Sequence, residues 1–195
     1  AHCARRRGNI ATAAGAAAFK VNCVQCHGSG AEGSKGFPNL TDDDWLWGGT
    51  PELIEETVRL GINSTHSGSR IGQMLAFGRD GILDRNQVTN VAAYVYSLSH
   101  ADYSTDKTAE QIAAGREVFA ANCAACHGDD AKGNQDLGAP NLTDDVWVYG
   151  GDMQSIVSTI HGGRQGHMPT WDERLTDGEI RTLSLYVHDL GTVQP

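Results

Sequence analysis

No apolar run in this chain approaches the roughly 18–20 residues needed to cross a bilayer. The nearest candidate, the alanine-rich stretch Ile10–Phe19, is too short, too small in side chain and followed at once by Lys20. A membrane span within the sequence as given is therefore excluded. Aromatic residues make up only 7% of the chain, while 24 glycines call for many loops, which argues against one large close-packed core. Positive charge is also scarce: 15 Lys and Arg against 24 Asp and Glu give a formal charge of −9. That balance disfavours a nucleic-acid partner and favours a partner with a basic face. Sustained apolar/polar alternation is missing, so strands are not expected and the chain reads as all-α. Cysteines number five, an odd count, and four of them fall in two copies of one pattern, which speaks against a disulfide framework. Only Cys3 is left over, and residues 1–8, with arginines at 5–7, read as a flexible N-terminal stub.

What the chain does have is a repeat. "GAAAFKVNCVQCHGSG" returns as "GREVFAANCAACHGDD", so Gly15, Phe19, Cys23, Cys26 and His27 recur one hundred positions later. "PNLTDDDWLWGG" returns as "PNLTDDVWVYGG", pairing Pro38 with Pro140, Trp45 with Trp147 and Trp47 with Tyr149. Farther on, Asp84, Val88, Tyr94, Val95 and Leu98 pair with Thr176, Ile180, Tyr186, Val187 and Leu190. The expected organisation is a first domain over 9–98, a linker over 99–108 and a second domain over 109–195. Each module reads as a helix running into the cysteines, a middle helix after the GG, and a last helix. Capping-box spacing is present at Asp84/Gln87, Thr176/Glu179 and Thr108/Gln111. Gly15 and Gly115 are expected to let the first helix approach the last one closely, near Tyr94 and Tyr186.

"CVQCH" and "CAACH" are C-x-x-C-H motifs, the attachment signature of c-type haem. Two thiols one helical turn apart reach the two vinyl groups of one porphyrin, and the adjacent histidine is carried to the iron. The four thioether positions are Cys23, Cys26, Cys123 and Cys126, with His27 and His127 as proximal ligands. Zinc and redox-dithiol readings of a bare C-x-x-C do not explain the histidine, twice. Function then depends on the opposite face of each iron: a second protein ligand leaves electron transfer, and an open face permits chemistry on a substrate. Three methionines are available. Met153 aligns with Pro51 in the middle helix and reads as core. Met74 and Met168 both lie between the middle and last helices, 47 residues after His27 and 41 after His127; an eight-residue insertion in the first module around "STHSGSR", less two residues that the second module gains before Pro140, accounts for the difference. They are the expected axial ligands, Met74 for the first haem and Met168 for the second. His66, His161 and His167 are the competing candidates. The carbonyls of Pro38 and Pro140 are candidate acceptors for the proximal imidazoles. Trp45, Trp47, Trp147 and Tyr149 are candidates to line the pockets or to donate to haem propionates.

With both motifs placed, the chain looks like two class I cytochrome c domains in tandem, each a few helices wrapped around one covalent haem. "GSGAEGSKGFPNLTDDDWLWGG", "IEETVRLGI", "AFGRDGIL" and "CHGDDAKGNQDLGAPNLTDD" together resemble the dihaem subunit III of cbb3-type cytochrome c oxidases, over about residues 9–190. The resemblance implies a periplasm-facing electron-transfer subunit with no catalytic centre of its own. It would take electrons from a small donor cytochrome or a quinol-oxidising complex and pass them through two haem c groups, in company with the oxidase's monohaem and catalytic subunits. It also implies Met74 and Met168 as distal ligands. Two departures stand out. The family carries an N-terminal membrane anchor that this sequence lacks, which makes a soluble portion or a free periplasmic dihaem carrier the expectation. Leu75 stands where the family has proline after the first distal methionine. A dihaem enzyme with one labile axial ligand is the third reading.

Overall fold

The computed structural model describes the backbone of residues 2–192 and the side chains of residues 12–191. Eight α-helices appear among the described residues: α1 (His2–Asn22), α2 (Val24–His27), α3 (Pro51–Leu60), α4 (Arg85–Ser99), α5 (Ala109–Asn122), α6 (Ala124–His127), α7 (Met153–Gly162) and α8 (Asp177–Thr192). Among the same residues β structure is limited to isolated bridges, and no helix is long and apolar enough to cross a membrane. The backbone of residues 2–8, expected as a stub, is instead the first part of α1. No proline lies between Arg5 and Phe19, and the alanines and arginines there are strong helix formers that outweigh Gly8 and Gly15. The side chain of Cys3 lies outside the described residues.

The helix ends are set locally. Thr50 accepts from the Leu53 amide at 3.3 Å with Pro51 in the first turn, and Asp152 does the same for Ser155 at 3.0 Å. Asp84 and Gln87 close a capping box, each backbone amide donating to the other's side chain at 2.9 Å. Thr176 and Glu179 repeat it at the start of α8. The box expected at Thr108 and Gln111 does not form. The Thr108 hydroxyl donates to the Tyr103 carbonyl at 2.6 Å and accepts from the Thr105 amide, so it is no longer available to the helix.

The compact units are not the sequence modules. One unit takes the described residues up to Ile71 together with those from Gly166 onward; the other is Gly72–Gln165. The expected domains, 9–98 and 109–195, have thus exchanged their C-terminal segments. The cause is visible in the packing. In the first unit α8 packs against α1 and α3, and in the second α4 packs against α5 and α7. The stretch expected as a linker belongs to the second unit, where a short 3-10 turn over Ala101–Tyr103 brings Tyr103 edge-on to Tyr96, with ring centroids 5.0 Å apart.

Each unit has its own apolar core, and the two are built alike. The first gathers Phe19, Ile54, Val58, Ile180, Leu183 and Val187; the second gathers Val88, Val91, Val95, Phe119, Ile156 and Ile160. Val91 and Ile180 are fully buried, as the helical period of the last-helix residues requires. Two glycines permit the central crossing. A methyl group on Gly15 would meet the Tyr186 Cβ at 2.6 Å, and one on Gly115 would meet the Tyr94 Cβ at 2.9 Å. Phe19 then packs on Tyr186 (5.6 Å between centroids) and Phe119 on Tyr94 (5.3 Å). Gly15 therefore approaches the last helix of the other module.

Candidate haem-binding sites

The attachment cysteines sit where a long helix hands over to a single turn. The Cys23 amide still donates to the Phe19 carbonyl at 2.8 Å, and the His27 amide donates to the Cys23 carbonyl at 2.9 Å. This puts Cys23, Cys26 and His27 on one turn, with Cys26 exposed and Cys23 partly buried. Cys123, Cys126 and His127 reproduce the arrangement. Burial, helped by the neighbouring cysteine of each pair, pushes the Cys23 and Cys123 thiols up to about 11. A redox dithiol needs the opposite shift, because the thiolate is the reactive species.

Each imidazole is oriented by a proline carbonyl. His27 Nδ1 lies 3.1 Å from the Pro38 oxygen and His127 Nδ1 lies 3.0 Å from the Pro140 oxygen. An N–H at Nδ1 is the only way to satisfy that contact, which leaves Nε2 with its lone pair for a metal. Burial also holds both imidazoles below the ordinary histidine range, only partly offset by the carbonyl. Burial thus favours the neutral ligand form, and the carbonyl fixes its tautomer.

The distal methionines are fastened to the ends of the middle helices. Met168 exchanges two backbone hydrogen bonds with Ile62, at 2.9 and 3.0 Å, just past α3. Met74 exchanges two with Arg164, at 2.8 and 3.1 Å, just past α7. Gly61 and Gly163 end those helices with φ of +72° and +68°. A side chain there would strike the backbone of Met168–Thr170 or of Met74–Ala76. Met168 packs into the cluster that holds Cys23 and Phe19, and Met74 into the cluster that holds Cys123 and Phe119. The structure therefore brings Met168 to the first attachment motif and Met74 to the second, the reverse of the pairing expected from chain order. Chain order misleads here because the segment after each middle helix belongs to the other unit.

The remaining candidates separate cleanly. Met153 packs against the core of the second unit. The Nδ1 of His66 accepts from the Gly68 amide at 2.9 Å, and its Nε2 lies 3.7 Å from Asp172. His167 is exposed, with Nδ1 2.9 Å from the Asn63 carbonyl, and His161 is exposed on α7. Trp45 and Trp147 pack in the two cores, and the Trp147 indole N–H donates to the Asp144 carbonyl at 3.2 Å. Trp47 and Tyr149 each lie under a guanidinium, that of Arg70 at 5.3 Å and that of Arg164 at 4.5 Å from the ring centre. Neither arginine is visible to the repeat, since positions 70 and 164 do not align. The open clefts of about 450 Å³ beside Tyr96, His100 and Trp147 and of about 350 Å³ beside Trp45 and His188 are bordered by neither cysteines nor methionines.

Two attachment turns and two oriented imidazoles on helices, with two methionines fastened by backbone bridges just beyond the middle helices, define a tandem cytochrome c. Comparison with known proteins agrees: the cytochrome c family model matches residues 12–99, and the model described as "Cytochrome C oxidase, cbb3-type, subunit III" matches residues 110–187. Cytochrome c models thus match both halves of the chain, its cofactors are two covalently bound haem c groups, and the chain is similar to curated subunits of cbb3-type oxidases. It is 52% identical over 182 residues to the cbb3-type cytochrome c oxidase subunit CcoP of Cereibacter sphaeroides, covering 93% of this chain and 61% of the relative. It is 51% identical over 182 residues to the FixP subunit of a Bradyrhizobium species, covering 93% and 62%. It is 48% identical over 190 residues to CcoP of Azospirillum brasilense, covering 93% and 63%. The chain thus spans about three fifths of the length of these relatives. The side chains present fit the cofactor: Arg70 Nε is the one buried side-chain nitrogen or oxygen among the described residues that lacks a hydrogen-bond partner, and each imidazole keeps one nitrogen for iron.

Proposed function

We propose that this chain conducts electrons through two haem c groups, the first held by Cys23, Cys26, His27 and Met168 and the second by Cys123, Cys126, His127 and Met74. In this role it relays electrons from a small donor cytochrome or a quinol-oxidising complex to the catalytic subunit of a cbb3-type oxidase, on the periplasmic side. It has no catalytic centre of its own. The observation that carries the reading is the fastening of one methionine into each core that also holds an attachment cysteine.

The residues do three things. Pro38 and Pro140 fix the tautomer and tilt of the imidazoles. The apolar cores keep water away from the distal side, so that little reorganisation accompanies a change of charge. The backbone pairs at Ile62 and Arg164 hold the two methionine segments in place. The haem iron, when bound, supplies a one-electron couple, and methionine opposite histidine raises its potential. With both distal positions filled by protein, substrate chemistry at an open iron is disfavoured. Leu75 does not favour the enzyme reading either, because Met74 has the same two backbone bonds as Met168. The acidic surface suits a basic donor.

The test removes the second haem by Cys123→Ser with Cys126→Ser. In that background Met168→Ala is expected to abolish the methionine–iron charge-transfer band of the oxidised protein, whereas Met74→Ala leaves it. The opposite pattern would return each methionine to its own sequence module.

A further inference from the structure

We propose that Arg70 and Arg164 are the cations that bind a haem carboxylate in the two units, supplied from non-equivalent places in the sequence and carrying different net charge. The proposal rests on the haem reading above and concerns this chain's own residues.

The argument begins with Arg70. Its side chain is 15% exposed, and one terminal nitrogen is paired with Glu56 at 2.7 Å. Nε, by contrast, is buried and makes no hydrogen bond. A buried guanidinium N–H left without a partner costs free energy, so a native site that keeps one has an acceptor that the polypeptide does not provide. The acceptor must be anionic to suit a guanidinium, and it must lie in the unit that holds Cys23, His27 and Met168. A porphyrin propionate meets both conditions.

Backbone placement points the same way. Arg70 and Met168 flank Ile62 on its two sides: Arg70 pairs with Ile62 in parallel and Met168 in antiparallel fashion. In the second unit Arg164 occupies the position of Ile62 in the repeat and pairs directly with Met74. Both arginines are thus tied to the segment that carries the distal methionine. Both also lay the guanidinium over the equivalent aromatic residue, Trp47 or Tyr149. The first module has isoleucine where the second has Arg164, and its insertion ends on Arg70. One function of the insertion is therefore to return the missing cation to the same aromatic platform.

The two cations are not electrically alike. Arg70 is offset by Glu56, whereas Arg164 is held through Nε and Nη2 by the neutral hydroxyl of Thr159, at 3.1 and 2.8 Å. The repeat places Ser158 opposite Glu56. The first cradle is close to neutral and the second carries about one positive charge. A cation beside a haem favours the reduced state, so the Arg164 cradle as a whole raises its haem's potential more than the Arg70–Glu56 cradle does.

The experiment is a potentiometric titration of the holoprotein, in parallel with covalent-haem content and the methionine–iron band. Arg70→Gln is expected to lower one of the two potentials and Arg164→Gln to lower the other, by comparable amounts because each removes one positive charge, with two haems and both methionine bands retained. Arg70→Lys is expected to restore most of the Arg70 shift, and Glu56→Gln to raise that same potential slightly. The proposal is overturned if both glutamine variants move the same potential, or if neither moves any. It is also overturned if a shift occurs only with loss of a methionine band, since the arginine would then merely hold the loop. A wild-type chain without two covalent haems would refute the haem reading itself, and the proposal with it.

Discussion

The two units start from one repeat but differ in what surrounds the distal methionine. Around Met168 the first unit builds a charged belt. Arg59 reaches Glu55, Asp172 and Asp177 at 2.9–3.1 Å, Arg70 reaches Glu56, and the Thr170 hydroxyl donates to the Arg59 carbonyl at 2.7 Å. Pro169 stiffens the loop further. Around Met74 the second unit has none of these: His161 replaces Arg59, Val157 and Ser158 replace the two glutamates, and Leu75 replaces the proline. Yet both methionines are held by the same pair of backbone hydrogen bonds to the residue after a left-handed glycine. The difference teaches that the clasp at the end of the middle helix is the shared requirement. Proline and ion pairs are additions to it.

The largest effect is expected from cutting the chain. If the units are as the contacts define them, a protein ended at Gln165 loses α8 and Met168. Its first haem should lose the methionine–iron band while the second keeps its own. A truncated protein whose two haems both kept their bands would show each sequence module to be complete in itself. Next in size, Phe19→Ala and Phe119→Ala should each destabilise their unit by about 3–5 kcal/mol, since both rings are buried against a tyrosine of the facing helix. Denaturant unfolding followed at the two haems would show whether the losses are equal. A clear inequality would break the equivalence of the cores.

Much of this was legible in the sequence, and what was not has a physical reason. The attachment turns are local: two cysteines and a histidine within five consecutive residues carry the signal, so "CVQCH" and "CAACH" could be read directly. The helices were legible from the period of Val88, Val91 and Val95 and from caps such as Asp84. The pairing of methionines with histidines was not, because it depends on which last helix each first helix packs against. Gly15 signals a close crossing but not whether Tyr186 or Tyr94 lies across it, since the repeat gives both last helices the same face. Thr108 failed as a cap for a similar reason, its hydroxyl having been taken by the Tyr103 carbonyl. Arg70 and Arg164 escaped because a three-dimensional equivalence need not be a sequence equivalence.

Smaller effects bear on the clasp itself. Gly61→Ala and Gly163→Ala should each cost about 1–3 kcal/mol from the left-handed backbone and should weaken the methionine–iron band of one haem. Under the exchanged pairing Gly61→Ala affects the haem at Cys23 and Gly163→Ala the haem at Cys123, which selective attachment variants can resolve. Arg59→Gln tests the belt. Its partners are part-exposed and Asp177 largely so, so the loss should be only about 0.5–1 kcal/mol and should shrink in high salt. His161→Gln, the corresponding change in the second unit, should be close to neutral.

The smallest expected effect concerns the caps of the two last helices. Both are boxes, but α8 closes with Glu179 and α4 with Gln87, so only the first has a titratable side chain at that place. The Thr176 backbone amide, with its hydroxyl, holds the Glu179 carboxyl below its usual range. A carboxyl whose value is lowered by folding contributes stability that is present above the unfolded value, near about 4.3, and is lost as pH falls through the lower folded one. The first unit should therefore shed a small part of its stability in that acid window. Glu179→Gln, which copies the second unit's cap, should remove that part of the pH dependence while leaving neutral-pH stability nearly unchanged, because a glutamine oxygen still accepts from the Thr176 amide. Unfolding curves of the two proteins between pH 3 and pH 7 make the comparison. A Glu179→Gln protein with an unaltered acid profile would locate the first unit's acid sensitivity elsewhere, in its belt of carboxylates around Arg59.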